Sequence, residues 1–301
     1  MTIHPPYIKN ISVEKESLSD ILLLCVAAIW GVNFVAVKFL LTGISPVNLI
    51  LFRFLVGSIF LFFLLLFFED VKIPLKDFFY LCFLGAIGIT VYQFFFTHAL
   101  KYTSVTNVSI IINTSPLYGG ILASLLGYDK FQPKRLFAII TGFLGVYILI
   151  TKGSFLLEGG DTRGNILAIL SSIFWALYTI LSKPLLDRHS PLKVTTYSML
   201  TGAALLCPFV PFHLHLKEYG TLSFIGWVCL LYSVVFSIVI AFFLWYRGVS
   251  KIGASRTMVY QYSVPVFAAF SAYLLLDEKL YVSQLIGAGI IFFSITLARR
   301  K

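Results

Sequence analysis

Residues Trp30–Pro46 read WGVNFVAVKFLLTGISP, and residues Trp175–Pro191 read WALYTILSKPLLDRHSP. At an offset of 145, Trp30 falls on Trp175, Lys38 on Lys183, and Ser45-Pro46 on Ser190-Pro191. Further along, the offset becomes 149. Pro116 in SIIINTSPLYGG then falls on Pro265 in MVYQYSVPVFAA, and Asp129-Lys130 on Glu278-Lys279. A chain that repeats at nearly half its length holds two copies of one structural unit.

Around these repeats the apolar residues come in long blocks. Hydrophobic residues make up 59% of the 301 and charged residues 12%, and mean hydropathy is +0.92. A soluble domain carries about 25% charged residues, so too little polar surface is left here to cover a water-soluble particle. Leu49–Phe68 carries Arg53 as its one charge, and about 20 such residues cross hydrocarbon as a helix. Barrel strands are about ten residues long and alternate polar with apolar, which these blocks do not. A soluble enzyme and a nucleic-acid binder are excluded. The four cysteines, Cys25, Cys82, Cys207 and Cys229, fall inside apolar blocks and read as small buried hydrophobes.

Blocks between charge clusters predict ten helices: Leu18–Leu41, Pro46–Phe68, Phe78–Ala99, Val105–Leu126, Arg135–Thr151, Asn165–Leu186, Leu192–Phe212, Phe224–Tyr246, Ala254–Leu276 and Val282–Ala298. The first has no cleavage signal and reads as a retained span. With the N-terminus inside, fifteen Lys and Arg fall in inner segments and five in outer loops, leaving Lys38, Arg53 and Lys183 within spans. This bias puts both termini in the cytoplasm, together with the 129–135 loop, while 158–163 faces outward. The expected organisation is a tail at 1–17, a first repeat at 18–151, an outer loop at 152–164, a second repeat at 165–298 and a basic end at 299–301. Five helices per half is an odd number, so the halves lie in opposite orientations, as in many secondary transporters.

Several residues carry a family resemblance: Trp30-Gly31-Val32-Asn33-Phe34, Phe52-Arg53-Phe54, Ala99-Leu100-Lys101-Tyr102-Thr103 leading to Pro116, the acidic–Lys pairs after the fourth and ninth spans, and Gln284 with Gly287. In combination the chain resembles the EamA family of the drug/metabolite transporter superfamily, from about Leu18 to Ala298. Two departures stand in the second half. Trp175 is followed by Ala176 where the first half has Trp-Gly, and Ser198 stands where Arg53 would repeat. The resemblance implies a ten-helix inner-membrane exporter of amino acids or related small metabolites.

The candidate site residues are polar or aromatic groups at mid-span. Pro116 and Pro265 each remove a backbone donor and push off the carbonyl four residues back, freeing Ile112 and Gln261. Polar backbone at that depth belongs beside protein or a water-filled cavity. Asn113 and Gln261 flank the two kinks and are expected to face one cavity, contributing to binding and little to stability. Tyr260 stands beside Gln261. Asn33, Trp175 and Tyr178 lie mid-span, Tyr178 at the repeat position of Asn33. Tyr92, one turn from Phe96 and beside Gln93, completes the substrate-contact set. Packing kinks are the blander reading of the prolines, and interfacial or packing aromatics that of Trp30 and Trp175. Arg53 is the buried charge; an arginine at mid-helix costs about 2.5–3.5 kcal/mol on insertion scales, so it serves either a helix-end carbonyl or a substrate. Lys38 and Lys183 can snorkel to headgroups.

No Asp or Glu falls mid-span, no metal constellation or cofactor motif is visible, and no cofactor is expected. Gly142, Gly145, Gly287 and Gly289 read as close-packing sites between the fifth and tenth helices. The expected fold is an all-α membrane protein of ten transmembrane helices in two inverted repeats. Its expected partners are a small-molecule substrate and the lipid bilayer, with no nucleic acid. A monomer is the expected unit, with an oligomer left open. A lipid-modifying enzyme would need paired acids or a metal set, and a scaffold would need large loops or docking tails.

Overall fold

The computed structural model of the chain describes residues 6–128, 132–152, 161–209, 212, 215–276 and 280–299. The 129–131 and 158–160 loop positions, the Asp129-Lys130 and Glu278-Lys279 pairs, the extreme N-terminus and residues 300–301 lie outside them. Among the described residues the chain is helical, with no strand.

The longer helical stretches are α1 (Pro6–Leu40), α2 (Pro46–Phe68), α3 (Leu75–Tyr102), α4 (Val105–Ile112 and Ser115–Leu125) and α5 (Pro133–Ile150). They continue as α6 (Thr162–Leu186), α7 (Pro191–Ala204), α8 (Phe224–Ile252), α9 (Ala254–Val259, Tyr260–Ser263 and Val264–Leu276) and α10 (Val282–Arg299). Eight helices among the described residues are long and apolar enough to cross a membrane; α7 and α9 are the two stretches that fall short. Regular helix in α7 stops after 14 residues at Ala204, short of the expected Phe212. Pro208 cannot donate to the carbonyl of Ala204, and the backbone tightens into one 3₁₀ turn, Cys207–Phe209. The expected Ala254–Leu276 span is broken by a 3₁₀ turn at Tyr260–Ser263, before Pro265.

Both prolines sit at the second residue of the helix that follows the break, where their missing N–H has no helical partner to lose. In α4 the break is Asn113-Thr114, ahead of Pro116. A second irregularity also occurs twice: α3 winds as a π-helix over Ala86–Val91, and α8 over Ser233–Ile240.

Helix packing in lipid rests on close fit and hydrogen bonds, since lipid tails are as apolar as leucine. α1 packs on α8 and α9, and α6 on α3 and α4. α2 lies against α7 and α8, α7 against α2 and α3, and α5 against α10. These pairings are unchanged when α1–α5 are exchanged for α6–α10.

Small residues make the approaches possible. A Cβ on Gly145 would stand 2.9 Å from the carbonyl oxygen of Gly287, and one on Gly142 would stand 2.4 Å from the Tyr262 ring. Gly289 is different: nothing lies within 4 Å of its Cβ position. Two residues along a helix turn by about 200°, so Gly289 faces away from the side on which Gly287 packs. On α3, a Cβ at Gly88 would stand 2.1 Å from the ring of Tyr178.

At each end of α2 a glutamate from one half meets a Ser-Pro helix start from the other, through the Leu216–Gly220 helix at one end and α7 at the other. Glu218 accepts from the Ser45 backbone N–H at 2.8 Å, the Ser45 hydroxyl at 3.1 Å and Asn48 Nδ2 at 2.9 Å. At the opposite end the Ser190 hydroxyl donates to Glu69. Nearby, Asp77 pairs with Arg188 at 2.8 Å and His189 at 2.7 Å.

Candidate functional site

The cavity at the centre of the bundle is built on the breaks just described. Its enclosed free volume is about 50 Å³, enough for a few water molecules at about 10–15 Å³ each. Trp30, Asn33 and Phe34 come from α1, Arg53 from α2, Tyr92, Gln93 and Phe96 from α3, and Ile112 and Asn113 from α4. Trp175 of α6, Ser237 and Phe242 of α8, and Gln261 and Val264 of α9 close the other side. Each half of the chain therefore supplies part of the wall.

Six of the fourteen wall residues are aromatic. Trp30 and Trp175 meet edge to face with centroids 5.4 Å apart, and both contact Phe242 at 5.7 Å. Tyr92 lies 5.1 Å from Trp175 and stacks on Phe96 at 5.9 Å, while Phe34 meets Phe96 edge-on at 5.6 Å. Edge-to-face and offset pairs satisfy the ring quadrupoles, so the wall is rigid and presents apolar faces.

The polar groups of the wall tie the broken helices together. Gln261 accepts from the Trp175 indole N–H at 2.9 Å and from the Ser115 hydroxyl at 3.0 Å. Its Nε2 donates to the carbonyl of Ile112 at 3.3 Å, and the Ser172 hydroxyl reaches the same carbonyl at 3.4 Å. Ile112 is the carbonyl that Pro116 releases, so the amide next to one break satisfies the backbone of the other. The carbonyl of Gln261, released by Pro265, accepts from the Val264 N–H within the 3₁₀ turn. Asn113 donates to its own helix at Ser109 O, 2.7 Å away. Asn33 accepts from Ser233 at 2.7 Å, and the Trp30 indole donates to Ser237 O at 3.1 Å, both within the π-wound part of α8.

Asn33, Tyr92, Asn113, Trp175, Gln261 and Arg53 are thus brought to one cavity. Tyr178 and Tyr260 stand outside its wall. Tyr178 is fully buried, its ring against Gly88 and its hydroxyl 2.8 Å from Ser198. The Tyr260 hydroxyl donates to buried Asp20, which also pairs with Arg299 at 2.6 Å. Pro116 and Pro265 are buried in the bundle and shape the wall without lining it. Trp30 belongs to the wall, although its position in the sequence pointed to packing. Ser237, Phe242 and Val264 carried no sequence signal, because the π turn that aims the first two contains neither proline nor glycine.

Four buried polar atoms of wall residues have no hydrogen-bond partner among the described residues: Arg53 Nε and Nη1, Gln93 Oε1 and Asn113 Oδ1. An unmade bond at a buried group typically costs 1–3 kcal/mol. These open donors and acceptors face a mostly apolar cavity. Among the described residues no cluster of three or more metal-ligating side chains occurs.

These features define a multi-pass helical membrane protein with a central cavity walled by both halves of one chain. The EamA-like transporter family model matches residues 17–151 and again 162–300, and the chain belongs to that family. A transporter of Archaeoglobus fulgidus is 29% identical over 95% of this chain and 99% of its own length. The Bacillus subtilis transporter YetK is 28% identical over 98% and 92%. A shorter match, 29% identical, covers 56% of this chain and 33% of solute carrier family 35 member F5 of Mus musculus. A solved crystal structure shares the fold with a TM-score of 0.77, at 17% identity, over 94% of this chain and 96% of that one.

Proposed function

We propose that the chain is a secondary transporter that exports a small polar metabolite, an amino acid or a related compound, across the inner membrane by alternating access. One observation carries the reading: the cavity draws its wall from both halves and leaves polar donors and acceptors open among aromatic faces. A solute entering it recovers the hydrogen bonds it loses on leaving water, and its apolar body packs on the rings.

In this reading α7 and α9 complete ten spans in two inverted five-helix repeats, both termini are cytoplasmic, and the substrate alternates between the two sides. The exchange symmetry of the helix pairings supports the inverted repeat, as do the paired π turns, the paired proline breaks and the double family match. α2, tied to the 216–220 helix by Glu218 at one end and to α7 by Glu69 at the other, is the natural element to open at either side.

The test is transport by the purified full chain in proteoliposomes against a pool of labelled metabolites, inward and outward gradients in parallel. Accumulation of one or a few amino acids or related compounds, abolished by variants of the cavity wall, is the expected result. Failure to move any member of the pool in either direction removes the reading.

A further inference from the structure

Ten residues before each cavity tryptophan, the two halves place the same position with different chemistry. Asp20-Ile21-Leu22 of α1 falls on Asn165-Ile166-Leu167 of α6 at the 145 offset, and Arg256 of α9 falls on Asn107 of α4 at 149. Asp20 is buried where α1 meets α9 and α10: it accepts from the Tyr260 hydroxyl and pairs with Arg299 at 2.6 Å. Arg256, buried one turn before Tyr260, adds a second positive charge near the phenol. Asn165 makes the repeat-related contact without charge. Its Oδ1 accepts from the Thr103 hydroxyl at 3.0 Å and from Asn107 Nδ2 at 3.4 Å. The backbones are close there, since a Cβ on Gly164 would stand 2.7 Å from the Thr103 Cβ.

Hydrogen bonds with an ionised partner are about twice as strong as neutral ones, and attraction between opposite charges falls only as the inverse of their separation. Parting α1 from α9 and α10 therefore meets more resistance than parting α6 from α3 and α4. We infer that Asp20, Tyr260 and Arg299 form a latch that keeps their end of the pathway shut in the empty protein, while the Asn165 end opens more readily. The 3₁₀ turn of α9 connects the latch to the cavity, because it holds Tyr260 on Asp20 and the neighbouring Gln261 in the wall. The empty chain reopens the latched end slowly. A solute that displaces Gln261 from Trp175 and Ile112 pulls on Tyr260 and loosens it, so a carrier of this kind exchanges solute faster than it moves it one way. In the proposed orientation the latched end is the cytoplasmic one. This deepens the transporter reading and rests on alternating access through the central cavity.

The test uses the purified full chain in nanodiscs, with both faces open to reagent and no solute added, in a variant free of Cys25, Cys82, Cys207 and Cys229. A single reporter cysteine replaces Ala27, between Asp20 and Trp30, or its repeat equivalent Ser172, between Asn165 and Trp175; both positions are buried. Reaction of each with a charged methanethiosulfonate is timed. With the latch intact, Ser172→Cys is expected to react tenfold or more faster than Ala27→Cys. Asp20→Asn copies the neutral end and should speed Ala27→Cys by tenfold or more without speeding Ser172→Cys, and Arg299→Gln should act in the same direction. Equal rates of the two reporters with the latch intact overturn the inference. So does a folded Asp20→Asn variant in which Ala27→Cys stays slow, or in which both reporters speed up alike, the mark of general loosening. If Asp20→Asn does not fold, the intact pair of reporters and Arg299→Gln decide. Transport in proteoliposomes together with equal reporter rates removes the latch alone, whereas unequal rates governed by Asp20 without transport of any metabolite remove the transporter reading alone.

Discussion

Trp30 and Trp175, the two tryptophans related by the 145-residue offset, touch each other edge to face at 5.4 Å across the central cavity. Tyr92 packs on Trp175, and Phe242 packs on both indoles.

The cross-bonding of the two breaks changes what is expected of their amides. Gln261 makes three hydrogen bonds, to Trp175, Ser115 and the released Ile112 carbonyl. Gln261→Ala is therefore expected to lower stability by about 1–3 kcal/mol, besides any loss of binding. Asn113 donates only within its own helix, so Asn113→Ala should cost less than about 1 kcal/mol. Melting curves of both variants check the order; equal losses would mean that the cross-bond contributes nothing.

Gly88 and Gly289 form a second contrast. A methyl at Gly88 meets the Tyr178 ring, whereas one at Gly289 meets open space. Gly88→Ala should destabilise by about 1–3 kcal/mol through overpacking, and Gly289→Ala by less than about 0.5 kcal/mol. Folded yield and thermal midpoint in detergent separate the two. A tolerated Gly88→Ala would require α3 and α6 to be farther apart than described.

Glu218 provides a pH dependence whose sign is determined. Burial pushes its carboxyl up, but bonds from Asn48 and Ser45 and the nearby His215 outweigh that and hold it below its ordinary value of 4.5. A depressed carboxylate contributes stability that is complete above the ordinary value and is lost as pH falls through the folded one. Wild type should thus lose the tie between α2 and the 216–220 helix only below about pH 4.5. Glu218→Gln should lack about 1 kcal/mol at neutral pH and show a flatter acid limb. Parallel acid limbs for the two proteins would rule out this role.

Topology follows from the basic-residue bias and is tested chemically. In a variant free of Cys25, Cys82, Cys207 and Cys229, a cysteine at exposed Gly43 should react with an impermeant maleimide in intact cells. One at exposed Lys76 should react only after permeabilisation. The reverse pattern would invert the proposed orientation and put both termini outside.

Much of this protein follows from composition and period. Blocks of apolar residues and a fifteen-to-five division of charge specify helices in a bilayer, and the offsets of 145 and 149 relate the halves. The cost of burying an amide or a guanidinium singled out Asn33, Asn113, Gln261 and Arg53 before their neighbours were known. Which way a side chain points is a different quantity, because it depends on the rotation of each helix about its axis and on contacts from elsewhere in the chain. The π turn in SVVFSIVI is wound without any proline or glycine to announce it, and a wider turn rotates every residue after it, including Phe242. The 3₁₀ turn at Tyr260–Ser263 likewise leaves Gln261 in the cavity wall while Tyr260 bonds to Asp20. Tyr178 matches Asn33 in sequence but meets Gly88 in space, and there the absent Cβ decides where its ring lies. Hydropathy specified eight of the ten expected spans and the residue offsets gave the repeat; the winding of four irregular turns and the partners across them decided which residues share the cavity.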